Sequence, residues 1–193
     1  MTEFAFILGN GKTRLDVIPS ELSARGNIYA CNRIYHEFSP DVLVSTDTAM
    51  AHEIQESGYS ENNVHYTRES NIIRGSGAMA LMPEYSGFSS GPNAVALAAA
   101  AEFPYIFLIG FDLVSETKLI NNIYSGTPNY ATSDTLTTSS SNWESQIYDI
   151  VEKFKNQRFM HINPLLGYTP PNWLTLPNFE VMDLRGLKFM LNI

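Results

Sequence analysis

Phe4-Ala5-Phe6-Ile7-Leu8-Gly9-Asn10-Gly11 decides how this chain is read. Five apolar residues without alternation, stopped by glycine, describe a strand buried on both faces. Such a strand belongs inside a parallel sheet covered by helices on either side. Moving outward, the same signature returns at 28–31 (Ile-Tyr-Ala-Cys), at 42–45 (Val-Leu-Val-Ser) and most clearly at 105–109 (Tyr-Ile-Phe-Leu-Ile). Weaker versions lie at 158–162 and 179–182. Helical stretches fall between them: 48–57, the alanine-rich 93–102, and 142–155 with Ile147, Ile150, Val151 and Phe154 on one face. This alternation predicts an α/β fold over a single domain, 1–193, with a doubly wound, mostly parallel, Rossmann-like sheet. Residues 114–141 break the rhythm, being rich in Thr, Ser and Asn with no helical period. A long irregular segment of that kind predicts a lid-like insertion.

Composition narrows the function. With 44% hydrophobic and 17% charged residues, the 193-residue chain can bury a core. A net charge of −8 argues against tracking a nucleic-acid backbone, but not against a small anion held by backbone amides. Cys31 is the sole cysteine, so no internal disulfide or cysteine zinc cluster can form. The N-terminus lacks a basic start with an apolar run, and no apolar stretch reaches membrane-spanning length. A cytoplasmic protein without a membrane span is expected. The oligomeric state is open, a homo-oligomer included.

Small polar residues follow each strand in turn. They are Gly9-Asn10-Gly11, Asn32, Thr46-Asp47 and Gly110-Phe111-Asp112, with Ser89-Ser90-Gly91 introducing the alanine-rich helix. Ligands of open parallel sheets sit beyond the carboxyl ends of the strands, so these positions predict a pocket. Taken singly, each is also an ordinary turn or N-cap residue. Gly11-Lys12-Thr13 imitates a P-loop, but Phe6 stands where that motif needs its first glycine. Gly9 and Gly11 begin a dinucleotide fingerprint, yet its third glycine position holds Arg14, and Cys31-Asn32 lacks the acidic residue for a ribose. What remains is a turn whose glycines let backbone approach a ligand. Ser89-Ser90-Gly91 reads equally as an anion site at a helix start or as a serine cap.

In this order the elements resemble the single-domain bacterial sialyltransferases that use CMP-sugars, and the related domain of motility accessory factors and archaeal hydroxymethylpterin diphosphokinases. The resemblance is carried by the glycine turn, Cys31-Asn32-Arg33-Ile34-Tyr35, Ser89-Ser90-Gly91, Ile109-Gly110-Phe111-Asp112, the tyrosines Tyr124 and Tyr130, and the stretch 163–166. It implies a sialyltransferase-like fold in which Asn10, Asn32, Ser90 and Gly91 hold a nucleotide or nucleotide-sugar. Tyr124 and Tyr130 would assist the departing phosphate, as phenol donors can without a metal. In lids, tyrosines also serve packing alone. No Asp-x-Asp occurs, which fits a site needing neither metal nor cofactor.

One departure stands out. The family's general-base histidine has no counterpart in 131–141, where Asp134 is the only carboxylate. His161, in a predicted strand, is the other base to consider, although lone histidines at such places are mostly structural. Three functions follow as expectations: glycosyl transfer from a nucleotide-activated donor, most readily a CMP-sugar; nucleotide binding or sensing without catalysis; and diphosphate transfer to a pterin, with Asp47 and Asp112 the carboxylates near the site.

Overall fold

The computed structural model describes residues 3–114, 117–163 and 167–193. Residues 164–166, part of the stretch 163–166 quoted above, lie outside them. Eight strands form one sheet: β1 (Phe4–Leu8), β2 (Asn27–Cys31), β3 (Val42–Ser45), β4 (His65–Thr67), β5 (Met79–Ala80), β6 (Tyr105–Ile109), β7 (Arg158–Ile162) and β8 (Phe179–Met182). Their order is β5-β4-β3-β2-β1-β6-β7-β8, and every pairing is parallel. The chain walks outward from β1 to one edge, then restarts at β6 on β1's other side. The reversal lies between β1 and β6. This is the doubly wound, Rossmann-like architecture.

Helices cover both faces: α1 (Pro19–Ser23), α2 (Thr48–Glu56), α3 (Tyr59–Asn62), α4 (Ser90–Ala100), α5 (Ser141–Lys153) and α6 (Leu184–Leu191). Successive side chains of a strand point to opposite faces. Ala5, Ile7, Ile106 and Leu108 therefore join a core with α4 and α5. Phe6, Leu8, Phe107 and Ile109 join the other, with Met50 and Ile54 of α2 and Leu187 and Leu191 of α6. Phe6 and Phe107, register partners on β1 and β6, stack with ring centroids 5.2 Å apart.

Helix α4 begins three residues before the predicted 93–102. Asn93 does not cap it; buried in the first turn, its Nδ2 donates to the Phe88 and Ser89 carbonyls (3.0 and 3.1 Å). Alanines dominate this helix and are nearly all buried, which suits it to lying close on the sheet. Within 114–141, the chain pairs with itself at an antiparallel bridge, Leu119 with Leu136. Hydrogen bonds from Ile120 N to Thr135 O (2.9 Å) and from Thr137 N to Lys118 O (3.0 Å) flank it.

The two central turns touch backbone to backbone. Gly9 N donates to Ile109 O (2.8 Å) and Gly11 N to Gly110 O (2.9 Å). A Cβ on Gly9 would lie 2.5 Å from the Gly110 carbonyl oxygen, and one on Gly11 2.6 Å from Asp112 Cγ. Gly110 itself has φ +76°, in the left-handed region that favours glycine. The glycines of the first turn are thus required by the protein's own second turn, before any ligand is considered. Gly9→Ala must push the turns apart and should cost about 1–3 kcal/mol in urea unfolding. Gly87→Ala, whose added Cβ meets nothing within 4 Å, should stay within about 0.5 kcal/mol of wild type. Equal losses for both would contradict this packing.

Candidate functional site

A cavity of about 560 Å³ opens over the carboxyl ends of the central strands. Its wall takes Gly9, Asn10 and Gly11 from the β1 turn, Cys31 at the end of β2 and Asn32 after it, and Thr46 and Asp47 after β3. Arg68 follows β4, Ser89, Ser90 and Gly91 start α4, and Gly110, Phe111 and Asp112 follow β6. The insertion closes the remaining side with Ile120, Asn121, Tyr130 and Leu136, and Trp143 adds an aromatic wall from α5. The cavity therefore covers the β1/β6 reversal, where open α/β sheets bind ligands.

Several polar groups of the wall are already engaged within the protein. Asp112 accepts from Thr13 N (3.1 Å), Thr13 Oγ1 and Asn121 Nδ2 (3.0 Å), so its carboxylate ties the glycine turn to the insertion. Asn121 Oδ1 accepts from Lys12 N (3.1 Å), and Asn10 O from Ile123 N (2.9 Å), adding two more ties. Ser90, 5% exposed, hydrogen-bonds Thr46 N and Thr46 Oγ1, both at 3.0 Å, which fixes the start of α4 against β3. Ser89 Oγ accepts from Trp143 Nε1 (3.0 Å) and sets the indole in the wall. The first amides of a helix have no intrahelical acceptor, and at α4 no side chain caps them. Asp47 is exposed at the N-cap of α2, without a side-chain capping bond.

Asn32 has φ +60°, which asparagine tolerates better than most residues. Its Oδ1 is buried and has no hydrogen-bond partner among the described residues. Buried acceptors are nearly always satisfied, so this one stands out in a residue of the cavity wall. Next to it, the Tyr130 hydroxyl accepts from Asn10 Nδ2 (3.1 Å). Burial and the neighbouring Cys31 push the Tyr130 pKa up, against the pull of the Arg33 backbone N–H and the Asn32 side chain. Tyr130 is therefore a protonated phenol. Cys31, buried, has its thiol pushed up to about 12, chiefly by burial, and is no nucleophile.

The two tyrosines part company. Their rings lie 5.8 Å apart, but Tyr124 is outside the cavity wall, 5% exposed, with its hydroxyl accepting from Arg14 Nη2 (2.8 Å). Arg14, the residue that breaks the dinucleotide fingerprint, is itself buried and pairs with Glu37 (2.9 Å). Asp134 is exposed and not part of the wall. His161 is 1% exposed and also outside it. Its Nε2 donates to the Phe111 carbonyl (3.1 Å), so its Nδ1 accepts from Thr169 Oγ1 (3.0 Å). Neither nitrogen is left for a substrate.

Sequence reasoning missed Arg68 and Trp143. Arg68 follows a strand of only three residues, held by His65, whose Nε2 and Nδ1 hydrogen-bond Ser45 Oγ (2.7 Å) and Ser60 Oγ (2.8 Å). The insertion is latched at its far side, where Asn129 Nδ2 donates to Glu53 Oε2 (2.6 Å). Burial raises the Glu53 pKa, but hydrogen bonds from His36 and Tyr35 and the Arg33 charge outweigh it and hold the carboxyl low. Among the described residues, no three His, Cys, Asp or Glu side chains converge to hold a metal. None of their helices is long and apolar enough to cross a membrane.

No family model, curated protein or solved structure matches this chain. The roles implied by the sialyltransferase resemblance thus rest on the quoted residues alone.

His65 and His161 carry a pH prediction. Burial pushes both down to about 4, from about 6.5 in an unfolded chain. The unfolded chain then takes up protons first, so their contribution is complete above pH 6.5 and is lost as pH falls towards 4. Urea titrations should show the unfolding free energy falling across that window, and His65→Asn should remove part of the slope. A flat profile would contradict two enclosed neutral imidazoles.

Proposed function

We propose that this cleft binds a nucleotide-activated donor, a CMP-sugar first among them, and serves a metal-independent glycosyl transfer. The observation that carries the reading is the polar cavity at the reversal of strand order, lined by Asn10, Asn32, the start of α4 and a protonated Tyr130. A nucleoside offers amine and hydroxyl donors and ring acceptors to such side chains. Asn10, Asn32 and the amides of Ser90 and Gly91 hold the nucleotide, the last two through the positive end of α4. Tyr130 gives a hydrogen bond to the phosphate as the sugar–phosphate bond breaks, stabilising charge that grows in the transition state. Of the carboxylates in the wall, Asp112 is spent on Thr13 and Asn121. Asp47, which also lines the cavity, takes the proton from the acceptor hydroxyl in this reading, in the role the sequence suggested for Asp134 or His161.

A second reading, nucleotide binding without turnover, is favoured by Tyr124, whose hydroxyl faces Arg14, and by the enclosure of His161. Two measurements separate them. Under transfer, purified protein releases CMP from a CMP-sugar, and Tyr130→Phe lowers the rate about 100-fold while CMP still raises the melting temperature. Stabilisation by CMP with no release from any CMP-sugar or nucleoside diphosphate sugar establishes the binding reading and sinks transfer.

A further inference from the structure

Arg68 is the one Lys or Arg among the described residues lining the cavity, in a chain of net charge −8. The register Ser45↔Thr67 puts it next to Thr46 at the neighbouring strand end. Its Nε donates to the Ser86 carbonyl (3.0 Å), a tether to the segment that leads into α4. Thr46 is in turn bonded to Ser90 (3.0 Å), so Arg68 stands beside the start of that helix. A guanidinium has five N–H donors in one plane. Among the described residues, no other hydrogen bond and no ion pair uses the four on its two terminal nitrogens. Asp47, at the adjacent strand end, makes no ion pair with it. A half-buried guanidinium, tethered yet uncompensated, gains most from an anion that meets its planar fork.

We infer that Arg68 anchors an oxyanion seat in this cleft, taking a phosphate group in bidentate fashion. The inference shares the cleft with the nucleotide reading and deepens it. It gives the phosphate contact expected of Tyr124, which lies outside the wall, to the side chain that follows β4. The phosphate is that of the nucleotide or of a free phosphate compound, and the two sources are separable.

Calorimetry at low ionic strength on the full chain decides it, with cytidine, CMP and inorganic pyrophosphate as probes. Wild type should bind CMP at least about tenfold more tightly than cytidine. That ratio should collapse towards one in Arg68→Gln and fall part-way in Arg68→Lys, which keeps the charge without the fork. A ratio unchanged in folded Arg68→Gln overturns the seat, as does a wild type that binds cytidine and CMP equally; the latter leaves the nucleoside reading standing. If neither cytidine nor CMP binds, the nucleotide reading fails and pyrophosphate decides. Binding lost in Arg68→Gln upholds the seat for a free phosphate compound, and no binding by wild type overturns it. Should Arg68→Gln unfold, Arg68→Lys is read in its place: a reduced ratio, or weakened pyrophosphate binding where no nucleotide binds, upholds bidentate capture and an unchanged one overturns it.

Discussion

The β1 turn lies on the β6 turn with no side chain between them, and the rest of the site depends on that contact. Gly9 and Gly11 donate to the carbonyls of Ile109 and Gly110, and the space a Cβ would take is already filled. Two strand ends are thereby locked together at the point where the chain reverses its order across the sheet. Asp112, carried on the second turn, reaches back to Thr13 behind the first and outward to Asn121 of the insertion. One close backbone approach thus sets the floor of the cleft and the attachment of its cover.

The cover is held by polar ties at several points. Ile123 bonds Asn10, Tyr130 bonds Asn10, Tyr124 bonds Arg14 and Asn129 bonds Glu53. These ties sort the two tyrosines by burial. Tyr124 seals the joint over Arg14, whereas Tyr130 lines the cavity together with Asn32. The spacing of two phenols in a sequence could suggest a pair but could not show that an arginine claims one of them.

Six of the eight strands were legible because burial on both faces leaves unbroken apolar runs such as Tyr105–Ile109. Strands β4 and β5 were not, being three and two residues long and carrying His65 and Thr67 inside. With β4 went Arg68, whose meaning depends on standing at a strand end. The polar residues after the longer strands were visible, and they do line one cavity. Their employments were not, since the partners of Ser90, Asp112 and His161 lie 44, 99 and 50 residues away in the chain. The glycine turn was legible as a place needing glycine. That another turn, and not a ligand, imposes the need is a tertiary fact.

On the proposed function, a nucleotide lies across the strand ends at the β1/β6 reversal. A crystal structure of the protein soaked with CMP tests it most directly. The account predicts CMP in the cleft between the β1 turn and the start of α4, with a ligand donor within hydrogen-bond distance of Asn32 Oδ1. CMP bound elsewhere, or a cleft that stays empty at saturating CMP, would contradict it.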